Sequence, residues 1–149
     1  MNIIGVQRIE APRESVWAAL NSLELLKQCI PGCESLEQVS DTEFRARITV
    51  KLGTLKTSFS GKLTLSDINP LNSYSISGSG SGGLAGFVSG RADVQLVTEG
   101  VATLLTYDVK AAVGGRLALG ARMVDTTAKK LASEFFGKLS EAVQPSQLL

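Results

Sequence analysis

The chain contains no histidine. Ser-His-Asp and Cys-His catalysis are therefore excluded, and so are the usual histidine-bearing zinc sites. Cysteine is nearly absent as well. Two residues in 149, Cys29 and Cys33, give no disulfide framework, which sets a reducing cytoplasm as the expected compartment. They also fall short of the roughly four ligands that zinc takes, so no metal is expected. Neither sign of charge dominates. With 15 basic and 14 acidic residues the net charge is +1, and no nucleic-acid partner is expected. No apolar run approaches the ~20 residues of a transmembrane helix. Met1–Glu10 lacks the basic and apolar regions of a secretory signal, so none is expected.

What is present is an ordinary globular composition, 44% hydrophobic and 19% charged. The length is that of one domain, 1–149, large enough for a real core. Acid-base chemistry would have to come from carboxylates, lysines, arginines or tyrosines, and that leans away from an enzyme.

Hydrophobic spacing divides the chain into one order of elements. Asn2–Glu10 is β-rich, with an inward face that alternation leaves ambiguous. Pro12 and Glu14 suit the start of a helix, which breaks near Asn21–Ser22. A second short helix, Leu23–Gln28, stops before Pro31–Gly32. Strands follow from Cys33. Phe44, Ala46, Ile48, Val50 and Leu52 alternate with Glu43, Arg45, Arg47, Thr49 and Lys51. After Gly53–Thr54, Leu55, Thr57, Phe59, Gly61, Leu63 and Leu65 alternate with polar residues. These read as antiparallel strands with one dry face. Ser73–Gly83 places Tyr74 and Ile76 inward. Phe87–Thr98 places Val88, Gly90, Ala92, Val94 and Leu96 on one face. Glu99–Gly100 turns into a last strand, Val101–Val113, the seventh. From Arg116 to Val143 a helical stripe runs through Leu117, Ala121, Val124, Ala128, Leu131, Phe135 and Leu139, and Pro145 falls just past its end.

The implied fold class is α+β: a seven-stranded antiparallel sheet, a long C-terminal helix and two short helices after strand 1. Seven strands span about 34 Å, whereas a helix covers about 10–12 Å. The sheet must curl around the helix, leaving a concave apolar space of the kind that holds small molecules.

Other features each admit a functional and a plain reading. The run Gly78–Gly86 is either a mobile flap presenting Leu84 and Phe87 to a cavity mouth or a bent hairpin in which glycine permits coiling. Cys29 and Cys33 read as two ordinary buried thiols. Tyr107, Tyr74, Arg8, Glu10 and Asp108 are the conceivable acid-base groups, and Asp108 with Lys110 reads as a solvated pair. The mouth is expected between the Gly82–Phe87 tip, the short helix at Leu26 and Ile30, and the start of the long helix at Leu117. The candidate binding residues are Trp17, Leu26, Ile30, Phe59, Leu84, Phe87, Tyr107 and Leu117. No catalytic residue is assigned.

Several segments together resemble the G-subunit family of carbon monoxide dehydrogenase, within the START-like, or SRPBCC, helix-grip superfamily. They are Ala11-Pro12-Arg13-Glu14-Ser15-Val16-Trp17, Ile30-Pro31-Gly32-Cys33-Glu34, Gly86-Phe87-Val88-Ser89-Gly90, Leu105-Thr106-Tyr107, Val113-Gly114-Gly115-Arg116-Leu117-Ala118 and Phe135-Phe136. The resemblance implies a helix-grip fold and association with molybdenum hydroxylases such as carbon monoxide dehydrogenase. It implies a role in recruiting that enzyme to the membrane or carrying quinone to it. Many members carry a C-terminal extension that meets the membrane. Here the sequence closes on Gln147-Leu148-Leu149, and self-anchoring is not expected.

The expectation is a non-enzymatic binder of a hydrophobic small molecule, quinone- or lipid-like, with no other cofactor. Its partners would be molybdenum hydroxylase subunits and, peripherally, the inner face of the cell membrane. Two alternatives use the same fold: a polyketide cyclase-like enzyme, favoured by an Arg-carboxylate or Tyr-carboxylate pair in the cavity, and a ligand-free docking or assembly factor, favoured by a filled core and a large exposed apolar patch.

Overall fold

Period-two alternation forces each strand to choose a face, and the pairing follows that choice. In the computed structural model, which describes residues 1–144, the strands are β1 (Asn2–Ile9), β2 (Cys33–Gln38), β3 (Glu43–Leu52), β4 (Leu55–Asn69), β5 (Ser73–Ser81), β6 (Phe87–Glu99) and β7 (Ala102–Gly114). They form one antiparallel seven-stranded sheet in the order β1-β7-β6-β5-β4-β3-β2. Across β3 and β4, Phe44 faces Leu63, Ala46 faces Gly61 and Ile48 faces Phe59, so the predicted dry faces coincide.

Chain-order neighbours pair throughout except at the ends. β1 joins β7, and β2 lies at the opposite edge. Helices α1 (Arg13–Leu20) and α2 (Leu23–Cys29) carry the chain from one edge to the other. Ser22 caps α2 by accepting the Leu25 N–H at 3.3 Å, satisfying one of the helix's free donors. The turn into β2 is fixed by Gly32. Its φ is +72°, and a Cβ there would lie 2.0 Å from the Thr49 carbonyl oxygen, so only glycine fits. The buried Thr103 hydroxyl donates to the Ala11 carbonyl at 2.8 Å, tying β7 to the start of α1.

The long helix starts later than its apolar spacing suggests. Gly115–Gly120 forms a 3₁₀ segment, and α3 spans Ala121–Val143, about 35 Å. The early segment is set by contact instead of helical periodicity. Gly115 sits against Gly86 at the β5–β6 tip, so closely that a Cβ on Gly115 would lie 2.9 Å from the Gly86 Cα. Leu117 is buried, while Leu119 and Ala121 face solvent. Pro145 and the Gln147-Leu148-Leu149 end lie outside the described residues.

The fully buried core gathers around α1 and the later half of α3: Ile9, Val16, Leu20, Cys29, Tyr74, Val94, Leu96, Leu105, Phe136 and Leu139. Along β3, β4 and the first half of α3 the inward residues Ile48, Phe59, Leu63, Val124, Ala128 and Leu131 are only half-buried. Side chains that face inward without being covered mark a hollow.

Candidate functional site

That hollow is an apolar cavity of about 380 Å³. Leu20, Leu26, Ile30 and Pro31 line it from the early helices and the turn after them, and Leu131, Ala132, Phe135 and Phe136 from α3. The sheet contributes Leu36, Phe44, Ile48, Leu63, Leu65, Tyr74, Ile76, Ala92, Val94 and Val109. A second chamber of about 290 Å³ adjoins it, sharing Ile48, Leu63, Ile76, Ala92 and Val109. Its walls include Phe59, Gly78, Gly80, Val88 and Gly90. Glycines at inward positions of β5 and β6 remove side chains that would otherwise fill this space. The main chamber lies in the size range of small-molecule sites, roughly 300–1,000 Å³.

Polar lining is sparse. Asn21, Gln38 and Asp41 are exposed, and the Asn21 amide is held by the Trp17 carbonyl at 2.9 Å. Tyr74 is the deep exception, with only 4% of its surface accessible. Burial pushes its hydroxyl pKa well above the ordinary value, because the charged form loses its hydration. Among the described residues no hydrogen bond joins Tyr74 to Asp41, and no Arg-carboxylate pair lines the main chamber. Nor does any group of three or more His, Cys, Asp or Glu there stand ready to hold a metal ion.

The candidate residues separate into three groups. Leu26 and Ile30 line the main chamber, and Phe59 lines the second. Trp17 and Tyr107 stand behind the wall. Trp17 meets Tyr74 edge-on at 5.6 Å between ring centroids. Tyr107 stacks under Phe136 and covers Gly5, where a Cβ would overlap its ring. Leu84, Phe87 and Leu117 do not line either chamber. Leu117 is buried in the 3₁₀ segment. Leu84 sits in the short 3₁₀ turn Gly83–Ala85, 87% exposed.

Phe87 lies on the convex side because Val88 takes the inward position. Its ring rests on Gly114, its partner across β6 and β7. The Gly82–Phe87 tip is a closed hairpin, held by the Gly82 N–H donating to the Gly86 carbonyl at 2.8 Å. It docks on Gly115, and the mouth expected beneath it does not form there. Leu131, Phe135 and most inward residues of β3 to β7 line the chambers without being among the candidate residues, Phe59 being the exception that lines one. The alternation already placed most of these on one side.

The other conceivable acid-base groups face outward. Arg8 bridges Glu10 and Glu99 on the surface. Asp108 does not pair with Lys110, and one of its oxygens is buried without a hydrogen-bond partner. The two thiols differ in cover. Cys29 is buried and Cys33 half-buried, and burial raises the pKa of both.

Comparison with known proteins places this architecture. The carbon monoxide dehydrogenase G-subunit (CoxG) family matches residues 5–144. A conserved protein from Geobacillus kaustophilus has a similar structure, with 32% identity, a TM-score of 0.88, and coverage of 96% of this chain and 95% of that one. A protein from Thermus thermophilus matches at 19% identity and TM-score 0.71, covering 96% of this chain and 97% of its own. The ZhuI aromatase/cyclase from Streptomyces sp. R1128 shares the fold at 12% identity and TM-score 0.65, covering 96% and 93%. No curated protein matches the chain in sequence. With the match running through nearly every element that builds the cavity, the chain belongs to the CoxG family of carbon monoxide dehydrogenase and has its helix-grip fold.

Proposed function

We propose that the protein binds a hydrophobic small molecule, quinone- or lipid-like, between its sheet and α3, without catalysing a reaction on it. The observation that carries this reading is the half-buried inner face. It leaves an apolar chamber of about 380 Å³ walled by core-type side chains, where each buried leucine- or phenylalanine-sized contact with a ligand is worth roughly 1.5–3 kcal/mol. Among the described residues no acid and base are paired in that chamber, which favours carriage over cyclase chemistry, and likeness to the aromatase/cyclase bears on the fold alone. Family membership supports service to a molybdenum-containing dehydrogenase of the carbon monoxide dehydrogenase kind.

Delivery of such a ligand calls for contact with a bilayer. Among the described residues no helix is long and apolar enough to cross a membrane. A peripheral contact has support at the end where three segments meet. Leu84 and Leu119 are 87% and 89% exposed on adjoining 3₁₀ segments. Exposed Leu55 and Met123 lie beside them, since the β3–β4 tip at Gly53 approaches Met123. Lys51, Lys56, Arg116 and Arg122 are exposed on the same segments, while Asp125 is engaged by Lys129 at 2.9 Å. Apolar tips ringed by cations suit an anionic lipid surface.

The test is native mass spectrometry of protein purified from its own source, with titration of a short-chain quinone followed by Trp17 fluorescence. A retained apolar adduct, or saturable quenching with a raised melting temperature, is the expected result. Protein that carries nothing and responds to neither quinones nor fatty acids would overturn the reading in favour of a docking factor.

A further inference from the structure

Tyr74 poses a hydrogen-bonding problem. It is deeply buried, at 4% accessibility, and lines the main chamber. Among the described residues its hydroxyl makes no hydrogen bond, yet it is not one of the side-chain atoms sealed from solvent, so it keeps contact with open space. Once a ligand covers it, that hydroxyl needs a partner there, because a buried hydroxyl left unpaired is costly. A phenylalanine would fill the same place without that cost. The ring is held from outside the chamber by Trp17, edge-on at 5.6 Å, so the hydroxyl is fixed in position.

Resting on the binding reading above, we propose that Tyr74 is the polar recognition point of the cavity. Its hydroxyl donates a hydrogen bond to a carbonyl oxygen, so the ligand class is an apolar ring or chain bearing a ketone or quinone oxygen. The donor role follows from the hydroxyl staying protonated at any ordinary pH. A carbonyl brings one acceptor and no proton of its own, which balances the single unmet donor; an alcohol would bring a second donor with nothing to receive it. A carboxylate would bring a charge into a chamber whose one charged lining residue, Asp41, is itself negative, and an unpaired buried charge is expensive. The cavity therefore selects ketone-bearing molecules over fatty acids and over plain hydrocarbons of the same shape.

The experiment compares 2-acetylnaphthalene with 2-ethylnaphthalene, near in size and differing in the carbonyl, by calorimetric titration of the wild type and Tyr74→Phe. Removing the hydroxyl should weaken the ketone about tenfold while leaving the hydrocarbon within about twofold. The bound ketone's carbonyl stretch should lie at lower wavenumber in the wild type than in Tyr74→Phe. Equal effects on both ligands, or none, would overturn the assignment to Tyr74 while leaving the cavity's binding role intact. If neither ligand binds the wild type, both readings fall together. Should Tyr74→Phe not fold, the wild-type band decides: a carbonyl stretch unshifted from its position in cyclohexane overturns the proposal.

Discussion

Tyr107 and Phe136 lie face to face, their ring centroids 4.2 Å apart and their planes 14° from parallel. Phe135, the residue before it in α3, meets Phe136 edge-on at 4.9 Å; both line the cavity, but Phe136 is buried and Phe135 only half-buried. Adjacent phenylalanines thus have different work. Phe136→Ala should destabilise the fold by about 3–5 kcal/mol, as for other buried aromatic truncations. Phe135→Ala should cost visibly less and enlarge the chamber. Denaturant midpoints of the two variants check this, and equal losses would show that Phe135 is core after all.

Gly86 should be the most sensitive residue of the β5–β6 tip. Its φ is +123°, and a Cβ would lie 2.2 Å from the Gly114 carbonyl oxygen. Strained backbone of this kind costs about 1–3 kcal/mol before any clash is counted. Gly86→Ala should therefore lower the melting temperature beyond Gly83→Ala, whose φ of +62° is also left-handed but whose added Cβ would meet nothing within 4 Å. Indistinguishable melting curves would mean that the tip does not depend on its docking to Gly115.

Acid should weaken the convex face. The Ser75 hydroxyl donates to Asp93 at 2.5 Å and Arg91 adds an ion pair at 3.0 Å, together holding the Asp93 carboxyl below its usual range. Glu34 is held low by the Thr49 hydroxyl and then by Arg47. For carboxyls depressed by folding, the stabilisation is complete above their ordinary values and is lost as pH falls through the lowered ones. Melting temperature should drop as pH falls below about 4. Asp93→Asn should flatten that drop slightly, because the group is exposed and screened. Parallel pH profiles for the wild type and the variant would remove Asp93 from the account.

If the exposed tips meet lipid, replacing Leu84 and Leu119 with aspartate should abolish cosedimentation with vesicles containing anionic lipid while leaving the melting temperature unchanged. Neutral vesicles should bind the wild type less well. Binding that survives the double substitution would assign the contact to another surface.

Much of this fold was written in alternation. β3, β4 and β6 declared their inward faces because polar and apolar residues exchange at every step. β1 did not, and the reason is visible. Its inward residues include Gly5 and Gln7, while Ile4 and Val6 face solvent. Gly5 is small because the Tyr107 ring lies over it, so packing across strands, not hydrophobicity, set that pattern. Arg116–Gly120 read as helix because Leu117 and Ala121 keep the right spacing, yet Gly86 against Gly115 decides its geometry from a distant part of the chain. Phe87 is large and follows a glycine run, which points it to the site, although Val88 beside it claims the inward position. The hollow was the hardest part to see. Sequence tells which side chains point inward, and only the distance between sheet and helix tells whether they touch.

The pairing of β1 with β7 also sets the order in which the molecule can be finished. Asn2 is matched to Lys110 and Ile9 to Thr103, so β1 leaves the ribosome roughly a hundred residues before its partner. At a synthesis rate of about 5–20 residues per second, that wait is on the order of 5–20 seconds. Through it, the β2–β6 hairpins can assemble from neighbours in sequence. The β1 strand and the helices after it must stay uncommitted, with Ile9, Val16 and Leu20 still lacking Leu105 and Leu139, their fellow members of the buried core. The sheet wall of the cavity is built from β3 to β6, and the β7 and α3 residues that close it follow later in the chain.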